Sequence, residues 1–290
     1  MLLSAKMGKA YVVTCAMVSA MVIVVILGFL IANSWQAFLR VGWGLLDAVW
    51  NPPKGQFGIV SMVYGSFAVT VIALSIALPL GLATAVFTSE MLSVSMRVYV
   101  KSFLELLAGI PSIVYGLMGV AFLSVFVQGA FDLQSGRTLL TGGILLALMV
   151  LPTVITLCDD AMHHIPMSYR EAARGLGLYP YEVIKDVVLP AAKMDILGAV
   201  LLALGRVLGE TMAVMLVIGS IDKIPTPFWN VLTPGQTMTS KLGREMAEAA
   251  FGSLHFEVMI GMALILLVFV LFFTVVSLTY FYNPERRLYE

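Results

Sequence analysis

Ser168-Tyr-Arg-Glu-Ala-Ala-Arg-Gly-Leu-Gly-Leu-Tyr-Pro-Tyr-Glu-Val-Ile-Lys-Asp-Val-Val-Leu-Pro190 is a water-compatible stretch set between strongly apolar ones. Gly175, Gly177 and Pro180 interrupt it, so it reads as two short helices, and Pro190 stops the second. Ser168 and Glu171 have capping-box spacing, in which each side chain satisfies a free amide at a helix start. A polar helical pair between apolar runs needs a reason to be there, and the rest of the chain supplies it.

Hydrophobic residues make up 60% of the 290 and charged residues 12%, against about 25% charge in a soluble domain. So apolar a chain is expected to face lipid. Apolar runs of roughly 20 residues, the length that crosses a bilayer as a helix, predict spans at 11–33, 58–88, 103–127, 139–157, 196–220 and 258–282. Lys6 and Lys9 precede the first run, as in a signal peptide, but the run is long and no small-residue cleavage site follows. It is therefore read as a retained span. The formal net charge is zero, which argues for neither nucleic acid nor an acidic substrate. Cys15 and Cys158 suggest neither a disulfide scaffold nor a metal site.

Placing the N-terminus in the cytoplasm puts Lys6, Lys9, Arg97, Lys101, Arg170, Arg174, Lys185, Lys193, Arg286 and Arg287 inside. Arg40, Lys54, Arg137, Lys223, Lys241 and Arg244 then lie outside. The basic excess agrees with the positive-inside rule, puts both termini in the cytoplasm and sets the 168–190 stretch on that side.

Arg206 and Glu210 sit inside the fifth predicted span. A charge at mid-membrane costs on the order of 2.5–3.5 kcal/mol on insertion scales, so neither persists without a partner or a wet cavity. At i and i+4 they share a helix face and are positioned to pair. Two readings stand: a self-neutralised pair that pins helices, or a path in which the Arg206 fork meets an oxyanion while Glu210 holds the fork. Gly205 and Gly209 flank the pair and invite close helix approach.

Glu171-Ala172-Ala173, then Gly177, then Val187-Val188-Leu189-Pro190 resembles the cytoplasmic loop of ATP-binding-cassette import permeases, with Val187 where that family usually has Ile. Gly205-Arg-Val-Leu-Gly-Glu-Thr-Met-Ala-Val214 resembles the fifth span of the phosphate-specific members, nearer the PstC type than the PstA type. Val49-Trp-Asn-Pro-Pro-Lys-Gly-Gln-Phe-Gly58, Ala77-Leu-Pro-Leu-Gly81 and Glu105-Leu-Leu-Ala-Gly-Ile-Pro-Ser-Ile-Val-Tyr-Gly116 extend the likeness over about residues 45 to 282.

The resemblance implies an all-α membrane protein of six spans with a type I importer permease core and a coupling loop. Its domains would be an N-terminal tail, first span and outer loop (1–57), a five-helix core (58–282) containing the loop 168–190, and a cytoplasmic tail (283–290). It implies docking to the ATPase through Glu171, Ala172, Ala173, Gly177, Leu189 and Pro190, and phosphate passage at Arg206 and Glu210. It implies as partners a PstA-type sister permease, two ATP-binding subunits and an external phosphate-binding protein, in a bacterial or archaeal inner membrane. Sulfate or molybdate transport, or phosphate sensing without flux, remain the alternatives.

The chain lacks Gly-x-x-x-x-Gly-Lys-Ser/Thr, Gly-x-Ser-x-Gly and His-Glu-x-x-His patterns. A non-catalytic subunit without a cofactor is expected, with ATP and Mg in a partner. Asp159-Asp-Ala-Met-His-His164 carries metal-ligand residue types, but adjacent histidines on a helix point about 100° apart. It is read as a solvated connector. Pro79, Pro111 and Pro152 each break a helix hydrogen bond, and 109–112 is read either as a flexing point or as a static kink. The external segment 221–256 is expected to hold an amphipathic helix over 238–250, with Lys241, Arg244, Glu245 and Glu248 on its polar side. It would serve either as a docking surface for the binding protein or as packing against its own spans. Trp50 and Trp229 are expected at the membrane interface.

Overall fold

Long apolar runs without internal turn signals fold as helices, because only a helix satisfies its own backbone in lipid. A computed structural model describes residues 2–281. The expected tail 283–290, with Arg286 and Arg287, lies outside the described residues. Among the described residues six helical stretches are long and apolar enough to cross a bilayer: Tyr11–Leu46, Val60–Met91, Ser112–Ala130, Leu139–His163, Pro180–Gly209 and Leu254–Val276.

In chain order, α1 is Leu2–Val41, β1 Trp50–Asn51, β2 Gln56–Phe57, α2 Val60–Val86 and α3 Val94–Ala108. Then follow α4 Ser112–Met118, α5 Ser124–Ala130, α6 Leu139–His163, α7 Met167–Gly175, α8 Pro180–Glu182, α9 Leu189–Gly209, α10 Met212–Val217, α11 Met238–Glu245 and α12 Leu254–Phe281. β1 and β2 form one antiparallel hairpin, Trp50 opposite Phe57. The chain is a six-span helical membrane protein with a helical loop between its fourth and fifth spans.

Two apolar clusters hold it. The larger centres on α2 against α6, with α9 and α10 alongside. Ala73, Ala77 and Ala147 are fully buried there, and a Cβ at Gly143 would come within 2.4 Å of Ile72. Small residues let these backbones approach where lipid gives no hydrophobic drive to pair. The smaller cluster joins α1, the hairpin, the start of α2, α11 and α12 through Ala37, Phe57, Met62, Met238 and Met259.

The third span is shifted from its expected position. Gly109 and Pro111 end α3, and Pro111, at φ −57 and ψ 137, starts α4. The span is therefore 112–130, and α3 is a separate helix packed on α6. The fourth span runs six residues further than expected, to His163, and this overturns the solvated connector. Asp159 is 3% exposed; it takes Arg97 Nη2 at 2.7 Å and Nε at 3.1 Å, and Thr88 Oγ1 at 3.0 Å. Asp160 pairs with Lys101. The two carboxylates tie α6 to α3, and no group of three metal-ligating side chains occurs among the described residues.

Part of the 221–256 segment folds inward. Residues 235–241 are buried, and Leu139 and Leu140, whose amides α6 cannot satisfy itself, donate to the carbonyls of Thr233 and Val231. A Cβ at Gly65 of α2 would lie 2.0 Å from the Gln236 carbonyl oxygen, so only glycine admits this strand of chain. The expected helix is shorter, Met238–Glu245, and Lys241 is buried rather than on a wet face. Lys241 Nζ sits 2.5 Å from Asp222, 2.6 Å from Glu245 and 5.1 Å from the Trp50 ring centroid. Trp50 donates its indole N–H to Glu245 at 2.9 Å, so it serves this cluster. Trp229 is exposed.

Candidate functional site

The fifth span does not continue past Gly209. Glu210 is extended, at φ −70 and ψ 125, and the helix restarts as α10. The expected i, i+4 pair therefore does not form; no Arg206–Glu210 ion pair within 4 Å occurs among the described residues. Each residue has another partner. Glu210 turns its carboxylate forward to accept from the Ala213 amide at 3.0 Å, capping α10. Its own carbonyl, freed by the break, accepts Thr239 Oγ1 at 2.8 Å from the inserted outer segment. A broken helix inside a membrane survives only where neighbours satisfy the freed groups, and Thr239 does that here.

Arg206 is half-buried and donates from Nη1 to Thr153 Oγ1 on α6 at 2.7 Å. A hydroxyl is not a counter-ion. Among the described residues no carboxylate lies within 4 Å of the guanidinium, so a permanent charge within the span keeps free donors. Beside it, a Cβ at Gly205 or Gly209 would meet nothing within 4 Å. That side of α9 is open, and neither glycine packs a helix of this chain.

The 168–190 loop is a second, distinct site. Pro166, at φ −56 and ψ 142, turns the chain into α7, so Met167 begins the helix and Ser168 is already inside it. The expected capping box does not form. The glutamate that does reach back to a helix-start amide is Glu182, whose carboxylate accepts from Tyr179 N–H at 2.7 Å. Gly177 takes φ +90 between the helices. Glu171, Ala172, Gly177 and Pro190 are exposed, Leu189 is half-buried and Ala173 is buried.

The exposed side also carries Leu176, Tyr179 and Tyr181 at 82%, 67% and 67% exposure. Exposed apolar and aromatic side chains on a polar loop are a surface suited to protein contact. Arg170 anchors the loop from beneath: it is 7% exposed and pairs with Glu90, in the turn that continues α2. It also donates to the carbonyls of Ile165 at 2.6 Å and Met162 at 2.8 Å.

Residues 77–288 match the family described as binding-protein-dependent transport system inner membrane component. The chain belongs to that permease family. The permease is 36% identical over 274 residues to the phosphate transport system permease protein PstC of Mesorhizobium japonicum, covering 86% of this chain and 83% of that one. It is 34% identical over 268 residues to a probable ABC transporter permease, YqgH, of Bacillus subtilis, with 90% and 85% covered. Against PstC of Haemophilus influenzae the identity is 30% over 278 residues, with 88% and 87% covered.

Among solved structures it resembles a chain of the inward-facing MetNI methionine ABC transporter, at TM-score 0.56 and 16% identity over 76% of this chain and 91% of that one. That likeness concerns the fold. The permease is thus a non-catalytic, multi-pass membrane subunit that works with an ATPase and a binding protein.

Sequence gives uneven notice of Thr153, Glu90 and Arg170. An acid at the end of an apolar run needs a partner, which flags Glu90. Arg170 carries no such signal, because a basic residue in a polar loop is expected to be solvated, and Thr153 is one hydroxyl among many.

Proposed function

We propose that this permease is the PstC-type subunit of an ATP-driven importer of inorganic phosphate, forming the translocation path with a PstA-type sister. The observation that carries the reading is Arg206: a guanidinium within the fifth span, held by a hydroxyl and, among the described residues, free of any carboxylate within 4 Å. A fixed, fork-shaped cation with unspent donors suits a tetrahedral oxyanion. Phosphate is favoured among oxyanions by the relatives named for phosphate transport.

The complex would hold two ATP-binding subunits, which bring ATP and Mg, and a phosphate-binding protein outside a bacterial or archaeal inner membrane. Both termini lie in the cytoplasm, and this chain carries no cofactor. Glu171, Ala172, Ala173, Gly177, Leu189 and Pro190 form the ATPase dock. Closure of the ATPases pushes α7, and the Arg170–Glu90 pair passes that push to α2 as a rigid lever. Phosphate then passes Arg206, while Glu210 holds the helix break open.

The test is phosphate uptake in cells lacking their own high-affinity system, supplied with this chain and its cognate partners. Uptake that excess sulfate and molybdate do not suppress supports the proposal. Sulfate or molybdate uptake in place of phosphate refutes the substrate assignment, and absence of any flux refutes transport.

A further inference from the structure

At the end of the molecule opposite the coupling loop, an open cleft of ≈ 410 Å³ is lined by Arg137, Met215, Leu216, Gly219, Ser220 and Arg244. Three separate parts of the chain build it. Met215 and Leu216 come from the last turn of α10, Arg137 from the link between the third and fourth spans, and Arg244 from α11. Gly219, at φ +88, makes the convergence possible. A Cβ there would fall 2.8 Å from the Arg137 carbonyl oxygen and 2.6 Å from Pro234, so glycine lets the Arg137 backbone close over the turn. Arg244 is steered to the same rim by its Nη1 bond to the Ser220 carbonyl at 3.3 Å.

The charge of this cleft is not cancelled from within. Among the described residues neither Arg137 nor Arg244 has a carboxylate within 4 Å. Asp222 and Glu245 both close on the buried Lys241, and Glu245 also takes Trp50 and His255; the exposed Glu248, four residues after Arg244, is not within 4 Å of either guanidinium. Glu245 follows Arg244 directly in sequence, yet α11 presents the acid to the interior and the arginine to the cleft. Two exposed guanidiniums and one polar turn, with no carboxylate against them, make a receiving site for an anion.

We infer that this cleft is an outer oxyanion site, in which Arg137 and Arg244 collect the anion before it reaches Arg206. The placement fits the path. α10 joins the cleft to the helix break at Glu210, and its six residues span roughly 9 Å at 1.5 Å per residue. The inference rests on the importer reading for its direction, outside to inside, but the cleft's preference for oxyanions is testable without transport.

The test uses the assembled complex with Cys15 and Cys158 replaced by Ala and a reporter thiol at Ser220→Cys. Labelling rates are compared for a sulfonate-bearing and a trimethylammonium-bearing thiosulfonate. The anionic reagent is expected to be favoured by roughly tenfold at low salt, the low end of electrostatic focusing. Millimolar inorganic phosphate should slow labelling. Arg137→Gln with Arg244→Gln should abolish both effects and lower initial phosphate uptake, and Arg137→Lys with Arg244→Lys should restore the charge preference. Met215→Cys gives the same readout if Ser220→Cys does not assemble.

A charge preference unchanged by the double Gln variant, or labelling indifferent to phosphate, overturns the site. So does a double Gln variant that needs more binding protein for half-maximal ATPase stimulation but moves as much phosphate per ATP. That result would make the arginines a protein-docking contact. If labelling behaves as expected while the parent complex moves no phosphate, the importer proposal fails and the anion site stands.

Discussion

Arg170 of α7 grips Glu90, just beyond α2, through two parallel bonds, Nη2–Oε1 at 2.7 Å and Nε–Oε2 at 3.1 Å. The pair is 8% and 9% exposed by side chain. A loop helix and a membrane span 80 residues apart in sequence are thereby made one mechanical piece.

Removing one partner of such a pair leaves a buried charge uncompensated, at a cost of about 3–5 kcal/mol. Glu90→Gln should therefore lower the thermal midpoint of the purified complex. It should also lower phosphate moved per ATP more than it lowers ATP hydrolysis, because the dock remains while the lever is loosened. Thermal unfolding and the transport-to-hydrolysis ratio check this; an unchanged ratio would leave the pair a structural anchor only.

The Arg206–Thr153 bond gives a second expectation. A hydrogen bond to a charged group is worth about 1.5–3 kcal/mol, so Thr153→Val should reduce uptake on the order of tenfold by freeing the guanidinium. Thr153→Ser keeps the hydroxyl and should transport nearly as the parent does. Initial uptake rates at matched membrane levels distinguish the two, and equal rates for Val and Ser would show that Thr153 does not position Arg206.

Gly65 tests the inserted outer segment. The Gln236 carbonyl is backbone and cannot swing aside, so Gly65→Ala must push 235–241 off α2. Overpacking of this kind costs about 1–3 kcal/mol. The thermal midpoint should fall and protease should cut the 221–256 segment sooner. Unaltered digestion would mean that the insertion tolerates a methyl group.

The outer cluster makes stability depend on acid. Burial alone would push the Glu245 carboxyl up, but the bond and charge of Lys241, with bonds from Trp50 and His255, outweigh it and hold the group below its ordinary 4.5. A lowered acid contributes stability that is whole above the ordinary value and is lost as pH falls through the lower folded value. Fluorescence of Trp50, read against a Trp50→Phe control, should report loosening only below about pH 4.5. Glu245→Gln should be less stable near neutral pH and nearly flat across that window. An acid transition of the same size in Glu245→Gln would assign it to another group.

How much of this was legible differs from element to element. The six spans and the polar loop follow from length, hydrophobicity and glycine–proline punctuation, which are local properties. Pro111 announced a break, but whether it kinked a span or ended a separate helix depended on α3 finding a surface on α6. Asp159 looked solvated because its partners, Arg97 and Thr88, lie more than 60 residues away. Of the expected polar side of 238–250, Lys241 and Glu245 turn inward, because Asp222, Glu245 and Trp50 together replace water around Lys241, while Arg244 stays exposed. Arg206 and Glu210 were found, but not their relation: helical spacing assumes a helix, and the chain stops being one at Glu210. The pairing with Thr153 and Thr239 needed the fold.

The most direct measurement is accumulation of radiolabelled phosphate in proteoliposomes holding the complete complex, with ATP and Mg on the ATPase side and loaded binding protein on the other. ATP-dependent accumulation against a gradient is expected, lost in Arg206→Gln while ATP hydrolysis stimulated by the binding protein persists. ATP hydrolysis without phosphate accumulation in the parent, or undiminished accumulation in Arg206→Gln, would contradict it.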